Sequence, residues 1–220
     1  MAVKTFDRWE FEELNRTFGL KRIYKKFPLL TEWAEAKYPI EPDTKRLLEK
    51  LRDLLSMHAE AWNEDELKFR FIAPLVSLIE FGNEEYSVFA QRKLSAVING
   101  IEMSGIVDFM VATGMQHPYQ PFFFIHEYKQ ERKRDADPLG QLLAGILAAN
   151  SHNHIKRTFY GAYVVGRFWF FAVFAEGRYA VSPAFDASQN DIFNIYQMLK
   201  FVKEKIEREF LPQELALEAA

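Results

Sequence analysis

The sequence contains no cysteine, which excludes a disulfide framework and a thiolate metal site. It has no apolar run of about 18 residues, the length that a helix needs to cross a bilayer, and its first residues lack the apolar segment of a signal peptide. Its formal net charge of −3 gives no overall attraction to the phosphates of nucleic acid. We therefore expect a cytoplasmic protein without a membrane partner. Local basic clusters at residues 21–26 and 129–134 could still contact nucleic acid, and a solvated loop is the alternative interpretation of each.

Apolar residues, by contrast, are abundant. They make up 49% of the 220 residues, and 21 of them are phenylalanine. This length and composition predict a compact globular protein with a sizeable core. We divide the chain into an amino-terminal helical elaboration packed on the main domain (residues 1–40), the main domain itself (residues 41–211) and a tail (residues 212–220).

Two apolar runs in the middle of the chain, Gly105–Ala112 and Pro121–Lys129, predict neighbouring β-strands joined by a polar turn. They are rich in β-branched and aromatic residues, which is typical of strands buried on both faces. Asp108, Glu127 and Lys129 lie within these runs. A charged group inside a buried strand is costly unless it is paired or binds a metal. Three such groups in adjacent strands therefore indicate one shared site.

Strand geometry predicts how these groups are arranged. Side chains alternate between the faces of a strand, so Glu127 and Lys129 project to one side and Tyr128 to the other. If the strand of Asp108 lies alongside in register, two carboxylates and one ammonium group converge. Two close carboxylates repel each other at neutral pH, and a hard divalent cation bound by oxygen is the simplest relief. A solvated cross-strand ion pair and a purely structural network are the alternatives.

The order of these residues resembles that of the PD-(D/E)XK nuclease superfamily. Asp108 stands near the end of one strand, the next strand ends in Glu127-Tyr128-Lys129, and the following helix carries Gln141. The resemblance covers residues 63–183, and Val107 stands where the family has a nominal proline. It implies an α/β protein with a restriction-endonuclease-like core, which is a mixed central β-sheet flanked by helices.

The resemblance also implies a function, namely a magnesium-dependent nuclease that hydrolyses phosphodiester bonds of nucleic acid. DNA is the favoured substrate, Mn²⁺ could substitute for Mg²⁺, and a homodimer is compatible with the family. Asp108, Glu127 and the Tyr128 carbonyl would ligate the ion. Lys129 would orient the attacking water and offset charge on the phosphorane, and Gln141 would hold a water or a phosphate oxygen.

A first-helix acid often completes the metal site in this superfamily. Asn63 predicts the cap of a helix over Glu64–Glu80, kinked at Pro74. Steps of three and four residues group Glu64 with the buried stripe, whereas Glu66 groups with the polar face. We therefore select Glu64 as the further metal ligand, with a simple first-turn acid as the alternative.

Local signals predict the remaining elements of the chain. Asn99-Gly100 is a strong hairpin signal, and Asp137-Pro138 reads as a helix cap and first helical residue. The predicted elements are a helix within 6–18, a helix from an Asp43 cap to about Ala61, strands at 86–90, 94–98, 159–166, 169–174 and 179–181, a helix from Pro138 to about Asn150, and a helix over 189–210.

A second function agrees with the same fold. The protein could be a binding module that keeps the nuclease fold but lacks catalysis, and that holds nucleic acid or a partner protein. Retention of all three of Asp108, Glu127 and Lys129 argues against such decay, because drift would tolerate the loss of any one of them.

Overall fold

The computed structural model describes residues 3–129, 137–153 and 155–213. Within these residues the chain forms a mixed β-sheet with helices on both faces, so the predicted α/β class is confirmed. The helices are α1 (Phe11–Phe18), α2 (Pro28–Glu35), α3 (Pro42–His58), α4 (Glu64–Leu67), α5 (Ala73–Ser77), α6 (Pro138–His152) and α7 (Asp191–Lys205). The strands are β1 (Lys4–Thr5), β2 (Lys21–Arg22), β3 (Tyr86–Ile98), β4 (Ile101–Thr113), β5 (Tyr119–Lys129), β6 (Phe159–Val165), β7 (Phe168–Ala175), β8 (Arg178–Val181) and β9 (Phe185–Asp186).

The sheet combines antiparallel hairpins with a parallel crossover between β5 and β6. β3, β4 and β5 pair in antiparallel fashion, and the predicted turn at Asn99-Gly100 joins β3 to β4 with positive φ angles of 52° and 78°. β6 lies parallel to β5, and the connection between them contains α6. β6, β7 and β8 continue the sheet in antiparallel order, with β9 beside β7.

The amino-terminal segment contributes to the sheet as well as to the helical layers. β1 lies parallel to β4, and β2 lies parallel to β8. The sequence predicts the helix of this segment, but it does not predict these strands, because each has only two residues and no pattern to read. Gly140 in α6 allows the segment to approach closely, since a β-carbon there would lie 2.1 Å from the Trp9 carbonyl oxygen.

Two apolar cores lie on the two sides of the sheet. The first core packs α2, α3, α5 and α7 against one face, and the second packs α1 and α6 against the other. Trp33 in the first core is fully buried, and its indole nitrogen donates a hydrogen bond of 2.7 Å to the Met198 carbonyl. This hydrogen bond gives the indole N–H of a buried tryptophan the partner that a polar group needs inside an apolar core.

β4 has a gap along one edge. β3 occupies its other edge for the full length, whereas this edge is shared between β1, at Met103 and Ser104, and β5, at Phe109–Thr113. In the described part of the chain no strand pairs with residues 105–108 on this edge. The ring of Phe6 lies against Gly105, where a β-carbon would lie 2.4 Å from it. The sheet is therefore open beside Asp108.

The structure corrects the predicted helix cap at Asp43 and confirms Asp137 in the N-cap position before Pro138. Asp43 is not the cap of α3, because the helix begins at Pro42 with Glu41 in the N-cap position, and it ends at His58 instead of Ala61. Proline is favoured at the first helical position, which places the cap two residues closer to the amino terminus than predicted. Asp137 is the N-cap residue of α6, but its carboxylate accepts a hydrogen bond from the Phe11 amide and makes no side-chain cap bond to its own helix.

The helix predicted over Glu64–Glu80, with a kink at Pro74, is present from Glu64 to Ser77 and contains a π-helical turn. α4 passes into a π-helical turn at Lys68–Ile72 before α5, and the Ala73 amide donates to the Lys68 carbonyl five residues back. Pro74 has no N–H to continue the ladder, so the chain relaxes around it by lengthening the preceding turn. The final helix similarly ends in a π-helical turn at Ile206–Phe210. Among the described residues, no helix combines the length and apolar character that a bilayer crossing requires.

Candidate active site

Asp108 and Glu127 lie opposite each other where β4 and β5 separate. The last paired residues of this antiparallel ladder are Phe109 and His126, so the next positions along it are Asp108 and Glu127. The amide of Tyr128, one residue further on, donates a hydrogen bond of 2.9 Å to Oδ2 of Asp108. The structure therefore brings the two acids together at the open part of the sheet.

The hairpin of β3 and β4 reverses its faces at this point. Phe89 and Leu94 are five residues apart, so strict alternation would put them on opposite faces, yet both belong to the second core. Gln91 lies between them with a left-handed φ of 53°, and it stands opposite Asp108 in the register. A positive φ in a residue other than glycine is strained, and such strain is found at functional sites. The reversal coincides with the position of Asp108 in the neighbouring strand.

Asp108 is held by three donors. Its Oδ1 accepts hydrogen bonds from Nζ of Lys68 at 2.8 Å and from Nε2 of Gln91 at 2.6 Å, in addition to the Tyr128 amide at Oδ2. The residue is only 9% exposed. Three donors that converge on one carboxylate fix its orientation. Asp108 is therefore a fixed acceptor with little freedom to move.

Glu127 is more deeply buried and less well satisfied. It is 0% exposed, its Oε2 accepts a hydrogen bond of 2.6 Å from Nε2 of Gln141, and its Oε1 has no hydrogen-bond partner among the described residues. Burial and the neighbouring charge of Asp108 raise the pKa of Glu127 well above its ordinary value, while the positive charges of Lys129 and Lys68 oppose this shift. The pair can relieve its repulsion by sharing a proton or by binding a cation.

Lys129 ends β5 on the same side as Glu127. The carbonyl of Lys129 accepts a hydrogen bond of 2.9 Å from the Gly166 amide, which fixes the end of the strand to the turn after β6. Its half-buried side chain is close enough to lower the pKa of Glu127 through its positive charge. Tyr128, on the opposite side, is buried in the first core. The structure thus gathers Asp108, Glu127, Lys129 and Gln141.

Glu64 reaches this group only through Lys68. Nζ of Lys68 donates to Oε1 of Glu64 at 2.7 Å as well as to Asp108, so the ammonium group stands between the two acids. Glu66 instead forms a capping box with Asn63. In the described part of the chain, no group of three acidic, histidine or cysteine side chains could hold a metal ion together. As predicted, Glu64 and Glu66 differ in their surroundings, since Glu66 is used in the helix cap. Glu64 is paired with the ammonium group of Lys68.

A groove opens beside the site between α5 and the β3–β4 hairpin. Its volume is about 470 Å³, within the range of small-molecule sites. Lys68, Gln91 and Asp108 form its polar end. Its apolar walls include Ile72, Val76, Phe81, Val88, Phe109 and Tyr128. The groove gives a ligand access to the Asp108 carboxylate from the face opposite α6.

The sequence does not indicate that Lys68 and Gln91 belong to the site. Lys68 follows Glu64 by four residues, and this spacing predicts an ion pair on the helix surface but not a bridge to a distant strand. Gln91 gives no sequence signal, because a single glutamine within a strand is common. The basic cluster at 129–134 lies outside the described residues beyond Lys129.

Comparison of the chain with protein-family models and with curated proteins finds no match to either. The arrangement of side chains at the open edge of β4 is therefore the basis on which a function can be assigned.

Proposed function

We propose that the protein is a magnesium-dependent nuclease that hydrolyses phosphodiester bonds of nucleic acid, with DNA as its expected substrate. The proposal includes a restriction-endonuclease-like core of the PD-(D/E)XK type. It is supported mainly by the buried pair of Asp108 and Glu127, which face each other beside Lys129 while Oε1 of Glu127 has no partner among the described residues. A buried carboxylate oxygen without a donor is costly in a protein that has no use for it.

The groups present fit a hard divalent cation. Mg²⁺ is usually bound by one or two carboxylates together with water and substrate phosphates, so Asp108 and Glu127 suffice as protein ligands. The Tyr128 carbonyl is the proposed third oxygen, and Glu64 could join if Lys68 gave up its ion pair. When bound, the ion supplies a Lewis acid that polarises the phosphate and lowers the pKa of a water molecule.

The side chains around the carboxylates supply the other parts of the reaction. Lys129 carries a positive charge next to Glu127, where it can orient the attacking water and offset the charge that develops on the phosphorane. Gln141 holds Glu127 by its amide nitrogen, and its own Oε1 is buried without a partner among the described residues, so it can accept a hydrogen bond from water. Glu127 must be ionised to act as a ligand, and its raised pKa makes this favourable only as the pH increases.

A nuclease assay with matched variants tests this proposal. Supercoiled plasmid, linear single-stranded DNA and RNA are each incubated with the purified protein in Mg²⁺, Mn²⁺ or EDTA. Lys129→Met is expected to reduce the metal-dependent rate by about 100-fold or more, the cost of losing a preorganised charge in an active site. Lys50→Met is the control, because Lys50 is an exposed lysine of α3 and does not belong to the site.

The results separate the proposal from its alternative. Cleavage by the wild type and Lys50→Met, but not by Lys129→Met, supports a nuclease, and the preferred substrate distinguishes DNA from RNA. Metal-independent binding of nucleic acid without cleavage in any condition would instead favour the catalytically silent binding module. Full activity in Lys129→Met would contradict the assigned role of this lysine.

A further inference from the structure

Lys68 is a second lysine at the site, and the proposed chemistry does not use it. Its ammonium group donates to Oε1 of Glu64 at 2.7 Å and to Oδ1 of Asp108 at 2.8 Å. The side chain is only 21% exposed. Burial alone would lower the pKa of Lys68, but the hydrogen bonds to Asp108 and Glu64 outweigh this effect and raise it, so the group stays charged.

The position of this ammonium group has two consequences. Asp108, Glu127 and Glu64 would repel one another without a nearby cation, so Lys68 stabilises the protein when no metal is bound. The same ammonium occupies Oδ1 of Asp108, a proposed metal ligand, and Oε1 of Glu64, which could join as a further ligand. A cation that approaches Asp108 therefore meets both a competitor for the oxygen and a repelling positive charge.

The start of the π-helical turn contributes to this arrangement. Lys68 is its first residue, and its carbonyl accepts a hydrogen bond from the amide of Ala73, the residue before Pro74. Lys68 also lines the polar end of the groove beside β3 and β4. The groove therefore offers a place for the ammonium group when it leaves Asp108.

We propose that Lys68 is the internal counter-ion of the metal-free site, and that a divalent cation displaces its ammonium group from Asp108. Lys68 thereby sets the divalent-cation affinity of the protein. This inference rests on the proposed metal site, and it adds a residue that opposes metal binding instead of assisting it.

The test compares metal affinity and stability in Lys68→Met, Lys68→Arg and the control Lys50→Met. MnCl₂ and MgCl₂ are titrated into each metal-free protein by calorimetry, and thermal unfolding is followed in EDTA and in excess metal. Lys68→Met is expected to bind Mn²⁺ at least about tenfold more tightly than the wild type, because one adjacent positive charge is gone. Its melting temperature is expected to fall in EDTA and to rise more on addition of metal than that of the wild type. Lys68→Arg and Lys50→Met are expected to keep the wild-type affinity.

The possible results are distinct. Equal Mn²⁺ affinities in the wild type and Lys68→Met would overturn this inference and leave the proposed nuclease intact. Absence of Mn²⁺ binding in both proteins would overturn the inference together with the proposed metal site. Weaker binding in Lys68→Met would assign Lys68 a supporting role, opposite to the one inferred here.

A second measurement applies to the unmodified protein if Lys68→Met does not fold. Nitrogen-15 labelled lysine allows the ammonium protons of Lys68 to be followed by NMR, since two ion pairs slow their exchange with water. Addition of Mg²⁺ is expected to abolish the protected signal. A signal that stays protected in saturating Mg²⁺ would show that Lys68 is not displaced.

Discussion

Replacement of Glu127 by glutamine is expected to stabilise the metal-free protein while it abolishes activity. In the wild type, Oε1 of Glu127 is buried without a donor and faces the negative charge of Asp108. A glutamine at this position can accept from Gln141 with its oxygen and donate to Asp108 with its nitrogen. An unsatisfied buried acceptor costs about 1–3 kcal/mol, and this is the expected gain in the free energy of unfolding at neutral pH.

The gain is large enough to measure by thermal unfolding in EDTA. A change of 1 kcal/mol shifts the melting temperature of a chain of this size by about 2–4 °C, so Glu127→Gln is expected to melt roughly 2–12 °C higher than the wild type. The order is expected to reverse in saturating Mg²⁺. The wild type gains about 4.1 kcal/mol when the free metal concentration is 1,000 times its dissociation constant, which exceeds the advantage of the variant, whereas the variant has lost a ligand.

The stabilisation also depends on pH with a definite sign. Burial and Asp108 raise the pKa of Glu127 in the folded state above its ordinary value of 4.5. The folded protein therefore holds this proton more tightly than the unfolded chain, so the wild type loses stability as the pH rises from about 4.5 through the folded-state pKa. The difference between Glu127→Gln and the wild type is expected to be small in acid, where both side chains are neutral, and to grow with pH.

Asp108→Asn provides the matched control, with the opposite expectation. Asp108 accepts from Lys68, Gln91 and the Tyr128 amide, so an amide nitrogen in place of one oxygen would face a donor. This variant is expected to lose about 1–3 kcal/mol of stability as well as activity. If Glu127→Gln melts below the wild type in EDTA at neutral pH, the argument that Glu127 is held at a cost is refuted.

Two further variants probe the support of the site. Gln141→Leu removes the amide donor to Glu127 and destabilises its charged form, so the acidic limb of the pH–rate profile is expected to move to higher pH; an unchanged limb would exclude this role. Gly140→Ala places a β-carbon 2.1 Å from the Trp9 carbonyl and is expected to cost about 1–3 kcal/mol in urea unfolding, as overpacking does. Ser151→Ala, at the exposed end of the same helix, is the control and is expected to change stability by less than about 0.5 kcal/mol.

Much of the site could be predicted because its signals are local. The two strands that carry Asp108 and Glu127 are long apolar runs with charged residues inside, and their antiparallel pairing follows from a short turn. Gln141 follows a proline that marks the start of α6, so its place one turn into the helix could be read from the sequence. The contact of Gln141 with Glu127 then follows from the packing of α6 over β5.

The contacts of Lys68 and Gln91 could not be predicted in this way. Lys68 meets Asp108 across 40 positions of sequence, and nothing in the helix pattern distinguishes it from a surface lysine paired with Glu64. Gln91 reaches Asp108 from a left-handed backbone conformation in the middle of β3. This conformation depends on the pairing of β3 with β4 more than on the residue type at position 91. The strands β1 and β2 were missed for a related reason, since two residues carry no periodicity and pair only because the sheet offers them an edge.

The open edge of β4 explains why two acids can occupy the interior of a sheet. If β5 continued to pair with β4 beyond Phe109, the Tyr128 amide would meet a backbone carbonyl and Asp108 would lose a donor that holds its carboxylate. β1 pairs with this edge further along, and the ring of Phe6 lies against Gly105, so in the described part of the chain the gap is limited to residues 105–108. Among the described residues, the fold thus leaves one edge of a short stretch of β4 without a strand partner, and the carboxylates, amides and lysines gathered there take the place of the backbone ladder.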